Sequence, residues 1–204
     1  MKTIMVLIFT SVFYNATWSQ VTDTLVDPRD SKIYQTIKIG DQTWMAQNID
    51  FKTKGFWWCY KDDSINCEKY GKLYRWESAM KACPKGWHLP SDNEWKELFD
   101  FLGGSKIAGG KMKSTNGWID DEGTSTNSSG FNAIPSGQGL NTGAGIGGNR
   151  GVGYIAVWWS ATKPELSFNP HYVFVNNQGD KVKIEECRPN MQFSVRCVKD
   201  IKQE

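Results

Sequence analysis

Five cysteines carry the most constrained chemistry in this sequence: Cys59, Cys67, Cys83, Cys187 and Cys197. None stands in a C-x-x-C pair, and only His88 and His171 add imidazoles, so a zinc or dithiol redox site finds little to draw on. Disulfides suit them better. Cys59 and Cys67 enclose YKDDSIN, a polar, turn-rich loop that a local bridge closes easily. Cys83 ends an expected helix and Cys197 stands near the end of the last expected strand. A bridge between those two would tie the start of the domain to its end, at roughly 4–5 kcal/mol on the chain-entropy account. Cys187 is then left as an idle thiol, an intermolecular link, an alternative partner for Cys197, or a reactive thiol.

Other chemistry is thinner. His88 sits in Trp87-His88-Leu89-Pro90 among core-like residues and reads as packed, whereas His171 precedes a strand and reads as exposed. Neither has a nucleophile motif beside it, and no signature marks paired carboxylates for glycoside hydrolysis. Asp120-Asp121-Glu122-Gly123-Thr124 is the best acidic run, and it reads as a solvated turn rather than a calcium loop. Gly145-Ile146-Gly147-Gly148 lacks the following Lys-Ser/Thr of a phosphate-cradling loop. No metal or other cofactor is expected; calcium has only that one acidic run in its favour. The chain therefore reads as a non-enzyme.

Ten tryptophans and twenty glycines describe a loop-rich fold around an aromatic core. Trp44, Trp76, Trp87 and Trp95 are expected in that core. Trp57, Trp58, Trp118, Trp158 and Trp159 are the candidate ligand-binding residues, because sugar rings stack on exposed indole faces. In the Trp158-Trp159 pair a strand points one ring each way, so one is expected to reach the loop face.

The elements that would position these residues begin after a leader. Lys2, an apolar run from Ile4 to Phe13 and small residues near Ser19 read as a signal peptide over residues 1–19. The run is too short to span a bilayer, no second long apolar run follows, and no cysteine just past the cut marks a lipid anchor. The mature chain is expected to be secreted or at the cell surface, with the periplasm as a further location. Without Lys2, the only charged residue of the leader, the formal net charge falls from +2 to +1. No basic stripe marks nucleic-acid binding. About 185 residues remain, enough for one domain.

A polar lead over 20–27 precedes a hairpin: residues 32–44 alternate around Gly40-Asp41, with Tyr34, Thr36 and Lys38 on one side and Ile33, Gln35, Ile37 and Ile39 on the other. Leu73, Trp76 and Met80 predict a helix over 71–82. Ser91-Asp92-Asn93-Glu94 is a capping box that opens a second helix, with Trp95, Leu98, Phe99 and Leu102 on its apolar face and Gly103-Gly104 at its end. Residues 103–153 read as ordered loops. Strands are expected at 156–160, 171–175, 181–184 and, in strict alternation, 192–198. This order is α+β.

The stretches YQTIKIGDQTWMAQNID, WWCYKDDSINCEKYGKLYRWESAMKACPKGWHLPSDNEWKEL, AGGKMK, Ser129-Gly130-Phe131, VWWSAT and FSVRCVKD resemble the Fibrobacter succinogenes major paralogous domain (FISUMP) over about residues 28–200. That family resembles in turn the C-type-lectin-like fold shared with formylglycine-generating-enzyme-type domains. The resemblance implies two helices and long irregular loops around a small twisted antiparallel sheet, stapled by a Cys83–Cys197 bridge, with residues 201–204 as a tail. It implies no established activity, and Cys187 lies outside its pattern. Calcium-dependent C-type lectins often carry carboxylate-Pro-Asn and Trp-Asn-Asp motifs. This chain has Arg188-Pro189-Asn190, whose Arg repels a cation, and no Trp-Asn-Asp. Formylglycine-generating enzymes hold copper through cysteines, and only Cys187 is spare. The expectation is a non-catalytic extracellular recognition or adhesion domain that binds a glycan or a surface protein through the 103–153 loops, or else a structural envelope or matrix component assembling through Cys187, with a redox or hydrolytic enzyme as the third and weakest reading.

Overall fold

In the computed structural model, residues 22–141, 146–163, 167 and 169–201 are described. The expected leader (1–19), Gly145 and most of the expected tail lie outside them. The expected lead is partly structured: β1 (Thr22–Val26) pairs antiparallel with β2 (Ile33–Ile39), which turns into β3 (Gln42–Met45) as the alternating pattern predicts. β4 (Trp57–Trp58) pairs with β5 (Leu73–Tyr74), and between them lie a single-turn helix at Tyr60–Asp62 and α1 (Ser64–Tyr70).

The helix expected over 71–82 is corrected. Its first residues are extended, and helix appears only in the short α2 (Trp76–Ala79). Gly71 closes α1 with its N–H on the Cys67 carbonyl, and Tyr74 then exchanges backbone hydrogen bonds with Phe193. Pairing across 119 residues of sequence outweighs the local helical spacing.

β6 (Trp87–His88) leads into α3 (Asp92–Phe101), whose capping box forms as read, with Ser91 accepting from the Glu94 amide and Glu94 reaching back. The 103–153 region is more regular than expected. It holds α4 (Ala108–Met112), β7 (Ser136–Asn141) and β8 (Ile146–Val152). β9 (Ile155–Trp159), β10 (His171–Asn176), β11 (Val182–Glu186), β12 (Met191–Gln192) and β13 (Val198–Lys199) complete the fold.

Two larger sheets form, in the orders β1-β2-β3-β13-β6 and β11-β10-β9-β7-β12, with β8 on β7. The β7–β9 contact is parallel and the other paired strands are antiparallel. The chain is thus α+β, with two cores. One gathers Ile37, Trp44, Trp95, Leu98, Phe131 and Trp158, and the other Tyr34, Met45, Ile49, Tyr74, Trp159 and Phe193. Trp44, Trp95, Phe131 and Trp158 meet tilted or edge-on, with centroids 4.7–5.9 Å apart, the geometry that ring quadrupoles favour. Trp76 and Trp87, expected inside, are only half-buried against the second core.

The closing segment is also corrected. Residues 192–198 are buried throughout rather than on alternate positions, because they cross from the second sheet to the first between both cores. Disulfides join Cys59 to Cys67 and Cys83 to Cys197. No helix among the described residues is long and apolar enough to cross a membrane.

His88 is not packed as expected. Its side chain is 40% exposed and clamped between two carboxylates, Nδ1 to Asp200 at 2.6 Å and Nε2 to Glu94 at 2.6 Å. Burial would lower its pKa, but the hydrogen bonds that its ring donates to Asp200 and Glu94 outweigh it and raise the pKa above the ordinary 6.5. A raised folded-state pKa gives stability that is fully present below 6.5 and is lost as pH rises through the folded value. The urea midpoint of the wild type should therefore exceed that of His88→Gln by more at pH 5.5 than at pH 9. An equal gap at both pH values would mean that the charge on His88 contributes nothing.

Candidate functional site

Four clusters could do chemistry. The first looks catalytic by composition. Asp92, at the start of α3, accepts from Ser160 Oγ at 2.6 Å, and its other oxygen meets His171 Nδ1 at 2.6 Å. Its backbone N–H donates to Thr162 Oγ1. A serine nucleophile needs a base on its hydroxyl, yet here the serine donates to the carboxylate and is itself fully buried. His171 Nε2 faces Glu186 at 3.7 Å. His171, expected to be exposed, is mostly enclosed (19% of its side chain). The arrangement ties the N-terminus of α3 to the end of β9 and the start of β10.

In the acidic run, Asp121 accepts from Lys113 Nζ at 2.6 Å and is also bonded by Ser125, and Lys113 donates on to the Gly179 carbonyl at 2.8 Å. Burial would raise the pKa of Asp121, but the hydrogen bond from Lys113 and those from Ser125 and Gly123 hold it below the usual carboxylate range. A fully buried ammonium thus supplies the positive charge that a cation would bring. Among the described residues no three His, Cys, Asp or Glu side chains converge as a metal site. Cys187 is half-buried, and burial pushes its thiol up to about 12. It is protonated at neutral pH and a poor nucleophile.

The predicted tryptophans separate. Trp158 points into the first core and Trp159 into the second, and both are fully buried. Their indole N–H groups are bonded to Asn48 Oδ1 (2.8 Å) and to the Tyr74 carbonyl (2.7 Å). The expectation that one of them reaches the loop face fails, because β9 is an inner strand with core on both sides. Exposing either ring would cost about 4–6 kcal/mol at 25 cal/mol per Å². An aromatic contact returns only about 1 kcal/mol. Trp118 is half-buried against the first core, under the Lys113 ammonium at 4.9 Å. Trp57 packs its ring toward the second core, 5.0 Å from Lys72 Nζ, an ammonium paired with Asp50.

Trp58 points to the opposite side of β4, and there it meets Phe56, two residues earlier on the same face. The two rings lie parallel within 9°, with centroids 6.0 Å apart, and Phe56 is 54% exposed. Arg75 lies against them, its Cζ 4.4 Å from the Phe56 centroid and 5.9 Å from that of Trp58. The ledge has a firm base. β4 pairs Trp57 with Tyr74 and Trp58 with Leu73, the Arg75 N–H donates to the Phe56 carbonyl at 3.3 Å, and the Phe56 N–H donates to Ser78 Oγ at 2.7 Å. A Cβ on Gly55 would strike Ser78 Oγ, so glycine is required for this approach of chain to α2. The Cys59–Cys67 ring follows immediately, with Asp63 capping α1 through the Ile65 amide. Neither Phe56 nor Arg75 was legible as a site residue. Phe56 at i−2 from Trp58 on a strand was the available signal, whereas Arg75 joins the pair only through the β4–β5 ladder.

The model of the Fibrobacter succinogenes major domain matches residues 37–199, nearly all of the folded chain. The chain belongs to that family. No curated protein and no solved structure matches it. Within this Fibrobacter succinogenes major domain, the matched span contains both disulfides, the ledge and both core clusters' tryptophans.

Proposed function

We propose that this Fibrobacter succinogenes major domain is a non-catalytic extracellular recognition module of C-type-lectin-like type that holds a carbohydrate on the Phe56–Trp58 ledge. The observation that carries this reading is the pair of parallel, partly exposed rings on a base fixed by backbone pairing and a disulfide. A sugar offers a flat apolar face of C–H groups to such rings. Because the base is fixed before the ligand arrives, little ordering entropy opposes binding. Two disulfides fit an oxidising compartment, which supports export through the leader at 1–19. The α+β architecture, its loop-bearing middle and the bridge from Cys83 to the closing segment support the lectin-like fold. On this reading the binding face lies on the β4–β5 unit rather than on the 103–153 loops.

Retention on an immobilised polysaccharide panel tests the reading. Phe56→Ala and Trp58→Ala should each weaken binding by roughly 2- to 12-fold, the value of one aromatic contact. Retention unaffected by either change but lost in Trp118→Ala would move the site to the loops. Absence of retention on every polysaccharide would end the carbohydrate reading.

A further inference from the structure

Arg75 differs from the other enclosed cations. Arg29 is paired with Asp27, Lys72 with Asp50, and Lys113 with Asp121. The fully buried Arg196 is bonded by Asn48 and by the Met45 and Phe131 carbonyls. Arg75 is half-buried, yet among the described residues its guanidinium meets only the two rings. Its Nε is out of contact with solvent and has no hydrogen-bond partner. The two terminal nitrogens also have no protein acceptor among the described residues and, unlike Nε, are not shut off from solvent. A partly desolvated charge without a counterion is costly, so these nitrogens, beside an exposed aromatic pair, can take an acceptor that arrives together with something that stacks.

We infer that the ledge selects acidic sugars, taking the pyranose ring of a uronic acid on Phe56 and Trp58 and its carboxylate on the Arg75 guanidinium. The inference rests on the carbohydrate reading of the ledge and names its ligand class. The planar fork of Arg matches a carboxylate with two parallel hydrogen bonds, which a lysine cannot reproduce. A neutral sugar would stack equally well but leave the arginine unpaired, so the discrimination lies in the charge. Because the pair forms at a half-exposed position, salt screens it.

The test compares polygalacturonate with its fully methyl-esterified form, which keeps the ring and removes the charge. By calorimetry on the full mature chain, the acid should bind about tenfold tighter than the ester at 50 mM NaCl. That preference should shrink at 500 mM. Arg75→Gln should lower the acid to the level of the ester. Arg75→Lys should fall between, and it guards against a fold defect in the first variant. Trp58→Ala should weaken both polymers. Equal binding of acid and ester, unaffected by Arg75→Gln, overturns the acidic-sugar inference while the carbohydrate reading stands. Equal affinity for dextran sulfate and polygalacturonate overturns the carboxylate assignment. Binding of neither polymer, with binding to other glycans that Trp58→Ala abolishes, also overturns the inference alone. Binding of no glycan removes both readings.

Discussion

Replacing Cys83 and Cys197 together by alanine is expected to lower the unfolding free energy by about 4 kcal/mol, and replacing Cys59 and Cys67 together by about 2.6 kcal/mol at most. The asymmetry follows from loop length. The first bridge joins residues 114 apart and the second residues 8 apart. The entropy removed from the unfolded chain grows with the logarithm of that span, which gives roughly 4.8 and 2.6 kcal/mol before native-state effects. Alanine is the appropriate substitute, because Cys197 is fully buried in the second core and a serine hydroxyl there would add its own desolvation cost. A domain of this size has about 5–15 kcal/mol to lose, so the long bridge alone decides whether the fold survives warming. Urea unfolding of both double variants measures the two losses. A larger loss from the short bridge would mean that its role is to hold native structure around the ledge rather than to restrain the unfolded chain. In that case Cys59→Ala/Cys67→Ala should also weaken glycan retention.

What could be read from the sequence was local. The β2–β3 hairpin, the capping box of α3 and the β10–β11 hairpin each depend on residues within about ten positions, where periodicity of two or a Ser-x-x-Glu spacing suffices. Most of the failures come from pairing at long range. Leu73 and Tyr74 look helical beside Trp76 but are drawn into extended pairing by Trp57, Trp58 and Phe193. α1 hides in a segment that reads as a polar loop, where Asp63 as its cap was the only local sign. α4 contains Gly109 and Gly110, poor helix formers. A Cβ on Gly109 would strike the Asp180 carbonyl, so the glycine is there for a contact with the β10–β11 turn that sequence spacing does not reveal.

The site follows the same logic. Alternation correctly sends the Trp158 and Trp159 rings to opposite faces, but it carries no information about how many layers cover those faces. Trp57 and Trp58 stand on the unit that carries the proposed ledge. The partner that gives the ledge its charge stands 17 residues past Trp58 and reaches it only through the β4–β5 ladder.

Arg196 is the second residue on which the fold turns, and its substitution is the other large expected effect. It is fully buried and, among the described residues, has no carboxylate partner. Nε and Nη2 donate to Asn48 Oδ1 at 3.1 and 2.8 Å, Nη1 donates to the Met45 and Phe131 carbonyls, and Cζ lies 4.4 Å from the Phe131 centroid. Asn48 Oδ1 also accepts from Trp158. One guanidinium therefore joins the end of β3, the following loop, the Phe131 segment and β9. Burial pushes its pKa down to about 9, so it remains charged at neutral pH, held by carbonyl dipoles and two ring faces. Arg196→Ala should cost about 4 kcal/mol, from the cavity among Trp158, Phe131 and Met45 and from the acceptors left without donors. Arg196→Met fills most of that volume but orphans the same acceptors, so it should cost about 2 kcal/mol. The near-UV circular dichroism of the Trp44–Trp95–Trp158 cluster should weaken in the alanine variant before secondary structure is lost. A methionine variant as stable as the wild type would show that desolvating the charge cancels its hydrogen bonds. Arg196 would then fix which loop docks on β9 without adding to stability, and the Phe131 segment would dock in more than one register once it is removed.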